Sequence, residues 1–146
     1  MRIFIDTNVF LEYLQGRNRA LEVRALLDEI EDNEHQAFIS TSSLCTIAYY
    51  VELSLKELGI HKPEKTEKTR SILNSILQIA EVIDITHHEV LQGINDLEFS
   101  DFEDSLQYRC AMCGRCDVIV TFNTKDYKNS DILVVTPKMF LERFEK

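Results

Sequence analysis

Arg2-Ile3-Phe4-Ile5-Asp6-Thr7-Asn8 sets three apolar side chains in a row and stops them with an acid and two polar turn formers. A short β-branched and aromatic run bounded in this way predicts a buried strand over 2–5. Similar runs recur at 36–40, 81–85, 117–122 and 132–135. Around them, apolar residues fall at helical spacing over 9–15, 19–31, 42–58, 65–80, 87–94, 101–112 and 138–144. Strands alternating with helices across short connections predict an α/β fold with a central, mostly parallel sheet of about five strands, covered on both faces.

Helix starts are marked. Ser100 to Glu103 and Thr86 to Glu89 both match the capping box, in which a hydroxyl and a carboxylate three residues on satisfy free amide donors. Pro63 and Pro137 fall at first helical turns, where the missing N–H does no harm. Residues 59–62 read as a linker between two helices. A length of 146 residues suits one domain, and 45% hydrophobic with 28% charged residues, 4 Gly and 2 Pro excludes disordered and collagen-like classes. No apolar run approaches the roughly 20 residues of a spanning helix. Asp6 ends the first apolar run too early for a signal peptide, so the expectation is a soluble cytoplasmic protein whose four cysteines stay reduced. The formal net charge of −9 argues against a strongly cationic duplex-binding protein. It leaves open a nucleic-acid enzyme whose carboxylates hold divalent metal beside a local basic rim.

Parallel sheets bind ligands beyond the carboxyl ends of their strands, so the residues that end each strand matter most. Asp6 ends the first strand, and Thr121-Phe122-Asn123-Thr124-Lys125-Asp126 carries a polar cluster out of the fourth. Asp101, Glu103 and Asp104 crowd the first turn of the helix between them. For Asp101 and Glu103 the plainer account is helix-start capping. Asp6 could equally cap the next helix or serve chemistry, and Asn123 and Asp126 could be turn residues. Asp104 stands one turn after Asp101 on the same side, while Phe102, Leu106, Cys110 and Cys113 are expected to meet the sheet.

Taken together these residues resemble the PIN-domain nucleases, especially their VapC-like branch. The matching stretches are IFIDTNVFLEYL (3–14), FISTSSLCTIAYYV (38–51), DFEDSLQYRCA (101–111), CDVIVTFNTKDY (116–127) and DILVVTPKMFLERF (131–144), in order along the chain. The resemblance implies a single PIN-like domain over 1–146, a three-layer α/β/α fold, and an acidic pocket for Mg²⁺ or Mn²⁺. Asp6, Asp104 and Asp126 would be the catalytic and metal-binding acids, with Asn123 sharing the last position. Oxygen donors are the suitable ligands for such hard cations. Thr7, Asn8, Thr121 and Asp101 would support them. The activity implied is endonucleolytic hydrolysis of RNA phosphodiester bonds, as the toxin component of a VapBC-type toxin–antitoxin pair. Its partners would be RNA and a small antitoxin protein; a homodimer is compatible with this and a membrane is not implied.

One departure stands out. The family pattern S-x-x-x-x-x-E starts at Ser40, but the acid's place falls on Thr46. One carboxylate fewer should weaken binding of a second metal, and it motivates the alternative of a degenerate PIN domain that binds RNA or a protein partner without cleavage. Cys110, Cys113 and Cys116 read as small buried thiols on one helix face rather than metal ligands, since no fourth ligand is nearby in sequence. His87 and His88 read as a surface pair. The lysines between 56 and 70 read as a solvated helix paired through contacts such as Glu64 with Lys68, whereas Arg17, Arg19 and Lys125 lie nearer the acids and are the candidates for meeting RNA phosphate.

Overall fold

A computed structural model describes residues 1–144. Five strands, β1 (Arg2–Ile5), β2 (Gln36–Ser40), β3 (Ala80–Ile83), β4 (Val118–Val120) and β5 (Leu133–Val135), form one sheet in the order β3-β2-β1-β4-β5, with every pairing parallel. β1 is central and buried on both faces, which is why its sequence is a continuous apolar run. Full burial of Ile3, Phe4 and Ile5 stabilises the sheet by about 1.5–3 kcal/mol per side chain.

The period-two alternation of the strands separates two cores. Ile3, Ile5, Ala37, Ile39, Val118, Val120 and Val135 point to one face, where they meet Val9, Val23, Leu26, Ile47, Ile76 and Phe140. These come from α1 (Thr7–Leu14), α2 (Ala20–Asp32), α3 (Thr41–Glu57), α4 (Glu64–Ile79) and α7 (Pro137–Phe144). Phe4, Phe38 and Ile119 point to the other face, against Phe99, Cys110, Ala111, Cys116 and Tyr127. That second layer is α6 (Phe102–Cys113), with α5 (His87–Ile94) packed on it. The three-layer α/β/α architecture follows, with an all-parallel sheet.

Two local expectations need correction. The cap of α6 is Asp101, whose Oδ1 accepts from the Glu103 amide at 2.8 Å; Ser100 lies one residue outside it. At α5 the expected residue, Thr86, is the N-cap, and its hydroxyl bonds the Glu89 carboxylate. The larger correction concerns which side of α6 is buried. Phe102 is 50% exposed and Cys113 is exposed, while Ser105, Gln107, Cys110 and Ala111 face inward. The inward face of α6 is therefore partly polar, and its polar members lie beside the end of β1.

Candidate active site

From β1 the chain runs on to β2 and β3 on one side, whereas β4 and β5 lie on the other. The order thus reverses between β1 and β4, and a crevice opens at the carboxyl ends of those strands. Register sets Ile5 beside Val120, so Asp6 and Thr121 leave the sheet as neighbours, and the Asp6 amide donates to Val120 O at 3.0 Å.

Of the two roles left open by its sequence position, Asp6 fills the capping one. It is the N-cap of α1, with Oδ1 accepting from the Thr7 amide at 2.8 Å, and it is the hub of a polar network although only 5% exposed. Oδ1 also accepts from Gln107 Nε2 at 3.0 Å. Oδ2 accepts from the hydroxyls of Thr121 at 2.9 Å and Tyr127 at 3.1 Å, with Asn8 Nδ2 further off at 3.4 Å. A buried carboxylate is tolerated only when so satisfied. The supports are themselves held: Asn8 donates to Thr121 Oγ1 at 3.1 Å and its Oδ1 accepts from the Phe122 amide at 3.1 Å, while the Asn123 amide donates to Thr121 Oγ1 at 3.1 Å. Thr7 Oγ1 and Ser43 Oγ share a hydrogen bond of 2.6 Å, which ties α1 to α3.

Asp104 enters from the first turn of α6, half-buried. Burial, then the charges of Asp6, Asp101, Asp126 and Glu103, push its carboxyl up from 3.8 to about 7. Glu103 is raised for the same reasons, burial first and then Asp6 and Asp101. Burial, and the negative charges of Asp6, Asp104 and Asp126, raise the Tyr127 phenol, which keeps it a hydrogen-bond donor. Asp126 lies in a 3₁₀ turn (Thr124–Tyr127) following Asn123, and both residues are exposed on the rim of a cleft shared with Phe122 and Lys125. Asp6, Asp104 and Asp126 thus belong to one electrostatic field, with Asp101 acting mainly as the cap of α6.

The donor set suits a hard divalent cation held mostly by water. Among the described residues, no three His, Cys, Asp or Glu side chains close into a metal cage. A Mg²⁺-like ion needs only one or two carboxylates because it keeps several waters. Burial and then the neighbouring acids lift Asp104, and a cation would offset both by favouring its ionised form.

Of the basic residues, Arg19 is fixed: its guanidinium lies 3.8 Å over the Phe122 ring and its Nε is 3.4 Å from the buried Glu12 carboxylate. Arg17 and Lys125 are exposed. Thr46 is half-buried one turn after Ser43. Sequence reasoning missed Gln107, Ser43 and the Tyr127 hydroxyl. A signal for Gln107 existed, since residues three apart on a helix share a face and Gln107 follows Asp104 at that spacing. A separate cleft, lined by Tyr13, Arg24, Asp28, Glu31 and His35 among others, shares no residue with this site.

The three-layer parallel fold and its carboxylate crevice define an α/β protein with an oxygen-donor site at the switch point of the sheet. Residues 2–125 match the PIN-domain family model, and the chain belongs to the PIN-domain family. It is 30% identical over 149 residues to Ribonuclease VapC1 of Aquifex aeolicus, covering 98% of this chain and 95% of that one. Its fold is that of VapBC2 from Rickettsia felis, solved with a promoter DNA fragment (TM-score 0.65, 20% identity, 92% of this chain and 97% of that one). VapBC-1 from nontypeable Haemophilus influenzae is similar too (TM-score 0.66, 13% identity, 94% and 99%). PIN-domain ribonucleases are in general dependent on divalent metal.

Proposed function

We propose that this chain, as a single PIN-like domain, is an endoribonuclease that hydrolyses RNA phosphodiester bonds with Mg²⁺ or Mn²⁺. In this reading it is the toxin half of a VapBC-type pair, acting in the cytoplasm and restrained by a small antitoxin protein. The observation that carries the reading is the pairing of a fixed, buried Asp6 with an Asp104 whose carboxyl is lifted to about 7 by burial and then by the acids around it. A pocket so negative, placed at the strand ends of this fold, is suited to a cation and a phosphate together.

Asp6, Asp104 and Asp126, with Asn123 beside the last, would hold the cation. When bound, it would activate water and neutralise charge on the phosphate and on the departing 3′ oxygen. Thr7, Thr121 and Gln107 keep the Asp6 carboxylate in one orientation. Arg19, stacked on Phe122, would present its exposed edge to RNA phosphate, with Arg17 and Lys125 as flanking charges. The test is RNA cleavage by purified protein with Mg²⁺, Mn²⁺ or chelator, for the natural chain and Asp6→Asn. Metal-dependent cleavage lost in Asp6→Asn is expected. Expression should also halt growth unless a small open reading frame beside this gene is co-expressed.

Thr46 favours a second reading, a PIN domain that binds RNA without cutting it. RNA binding that survives in Asp6→Asn, with no cleavage by the natural chain in either metal, would favour that reading.

A further inference from the structure

Gln107 is fully buried, and its orientation is forced. Its Nε2 donates to Ser43 Oγ at 2.7 Å and Asp6 Oδ1 at 3.0 Å, with Thr7 Oγ1 at 3.3 Å, and its Oε1 accepts from the Ser40 hydroxyl. Turning the amide over would set Oε1 against the Asp6 carboxylate, acceptor against acceptor. Ser40 is in turn fixed as the N-cap of α3, accepting from the Ser43 amide at 3.0 Å. Gln107 therefore links α6, α3 and the end of β1.

The two oxygens of Asp6 are consequently unlike. Oδ1 faces two N–H donors, the Thr7 amide and Gln107 Nε2, and neither nitrogen has a lone pair to offer a cation. With both lone pairs of Oδ1 occupied, a metal could bind there only by breaking one of these bonds. Oδ2 faces the hydroxyls of Thr121 at 2.9 Å and Tyr127 at 3.1 Å, and its one N–H contact, from Asn8 Nδ2, is long at 3.4 Å. The Thr121 oxygen accepts from Asn8 Nδ2 and the Asn123 amide, which keeps its proton on Oδ2, whereas a hydroxyl that accepts no hydrogen bond can rotate its proton away and turn a lone pair inward. Among the described residues the Tyr127 hydroxyl donates to Asp6 and accepts no hydrogen bond, so its oxygen lone pairs are the ones a cation at Oδ2 could meet. Two-metal sites need both attacking and leaving oxygens clamped by ions about 3.5–4 Å apart, which asks more of the shared carboxylate than one free oxygen. On α3, Thr46 supplies no further acid.

We propose that Gln107 is a positioning residue that holds Oδ1 of Asp6 out of metal coordination, so that the site takes one divalent cation, through Oδ2, and not two. This rests on the reading of the site as a metal-dependent ribonuclease, and the test separates the two.

The full chain would be titrated with Mn²⁺, following bound and free ion by electron paramagnetic resonance and stoichiometry by calorimetry, with RNA cleavage measured on the same samples. One Mn²⁺ per chain is expected, weakened by Asp6→Asn, with no spin-coupled pair at saturation. Gln107→Glu should remove the donor to Oδ1, add a carboxylate beside it and recruit a second, spin-coupled Mn²⁺. Gln107→Met, which removes the donor without adding charge, should weaken the first Mn²⁺ about tenfold, as loss of a group that orients a ligand does, and open Oδ1 to a second ion at high Mn²⁺. Natural chain and Gln107→Met decide the matter even if Gln107→Glu fails to fold. Two coupled Mn²⁺ in a cleaving natural chain would overturn this proposal alone. So would a single Mn²⁺ indifferent to Asp6→Asn, or an affinity unchanged in Gln107→Met. No bound Mn²⁺ and no cleavage would overturn the ribonuclease reading with it.

Discussion

Asp104→Asn should make the metal-free protein more stable, and only where Asp104 would be ionised. The carboxyl of Asp104 is lifted from 3.8 to about 7 by burial and by Asp6, Asp101, Asp126 and Glu103. Below pH 4 it holds its proton in both folded and unfolded chains and contributes nothing. Between pH 4 and 7 the unfolded chain releases the proton while the folded chain keeps it, so stability falls as pH rises. Above pH 7 both forms are ionised and the full penalty is present. Taken at face value the difference is about 4 kcal/mol. Asp104 is only half-buried, and solvent screening reduces that to about 1–2 kcal/mol. Asparagine has nearly the same shape and no charge. In chelator at pH 8 its melting temperature should exceed the natural chain's by roughly 3–6 °C for a protein of this size. At pH 5 the gain should shrink to roughly a third. Excess Mg²⁺ should abolish or reverse it, because the cation stabilises the carboxylate form. Circular dichroism melts at pH 5, 6 and 8, with EDTA or Mg²⁺, would read this. A variant no more stable than the natural chain at pH 8 in EDTA, or a gain that does not change with pH, would refute the argument.

Gly114→Ala should destabilise by about 1–3 kcal/mol, because the new Cβ would stand 2.1 Å from Ile83 Cδ1 in the core shared by α6 and β3; urea unfolding measures it. Cys45 and Cys113 are exposed, whereas Cys110 and Cys116 are buried and burial pushes their thiols up to about 12 and 11. Ellman's reagent at pH 8 should therefore modify two of the four thiols in the native protein and the rest only in denaturant, and elemental analysis should find no zinc. Arg19→Ala should cost about 1–3 kcal/mol, since it leaves the Glu12 carboxylate, only 5% exposed, without its guanidinium. Glu12→Gln should recover part of that loss in the double variant, a coupling that a double-mutant cycle of chemical denaturation would show.

The central strands were legible because β1 and β4 are apolar runs buried on both faces, and β2 spans 36–40 as expected, whereas the edge strand β3, with Glu81 and Val82 exposed, runs 80–83 where 81–85 was expected. Asp6, Thr121 and Asp104 were legible as candidates because strand ends and helix starts announce themselves in sequence. The inner face of α6 was not. Apolar spacing pointed to Phe102 and Cys113, yet Ser105 and Gln107 are buried instead, Ser105 through its hydroxyl bond to Gly93 O at 3.0 Å. Periodicity assumes that polar side chains seek water, and it fails where the fold supplies every hydrogen bond that water would. For Gln107 those bonds come from Asp6, Thr7, Ser40 and Ser43, residues 64 to 101 positions away along the chain. No local window contains them. Gln107 reads as an ordinary helix former until β1, α3 and α6 are brought together, and at that point a surface amide and a buried amide that orients Asp6 differ only in their neighbours.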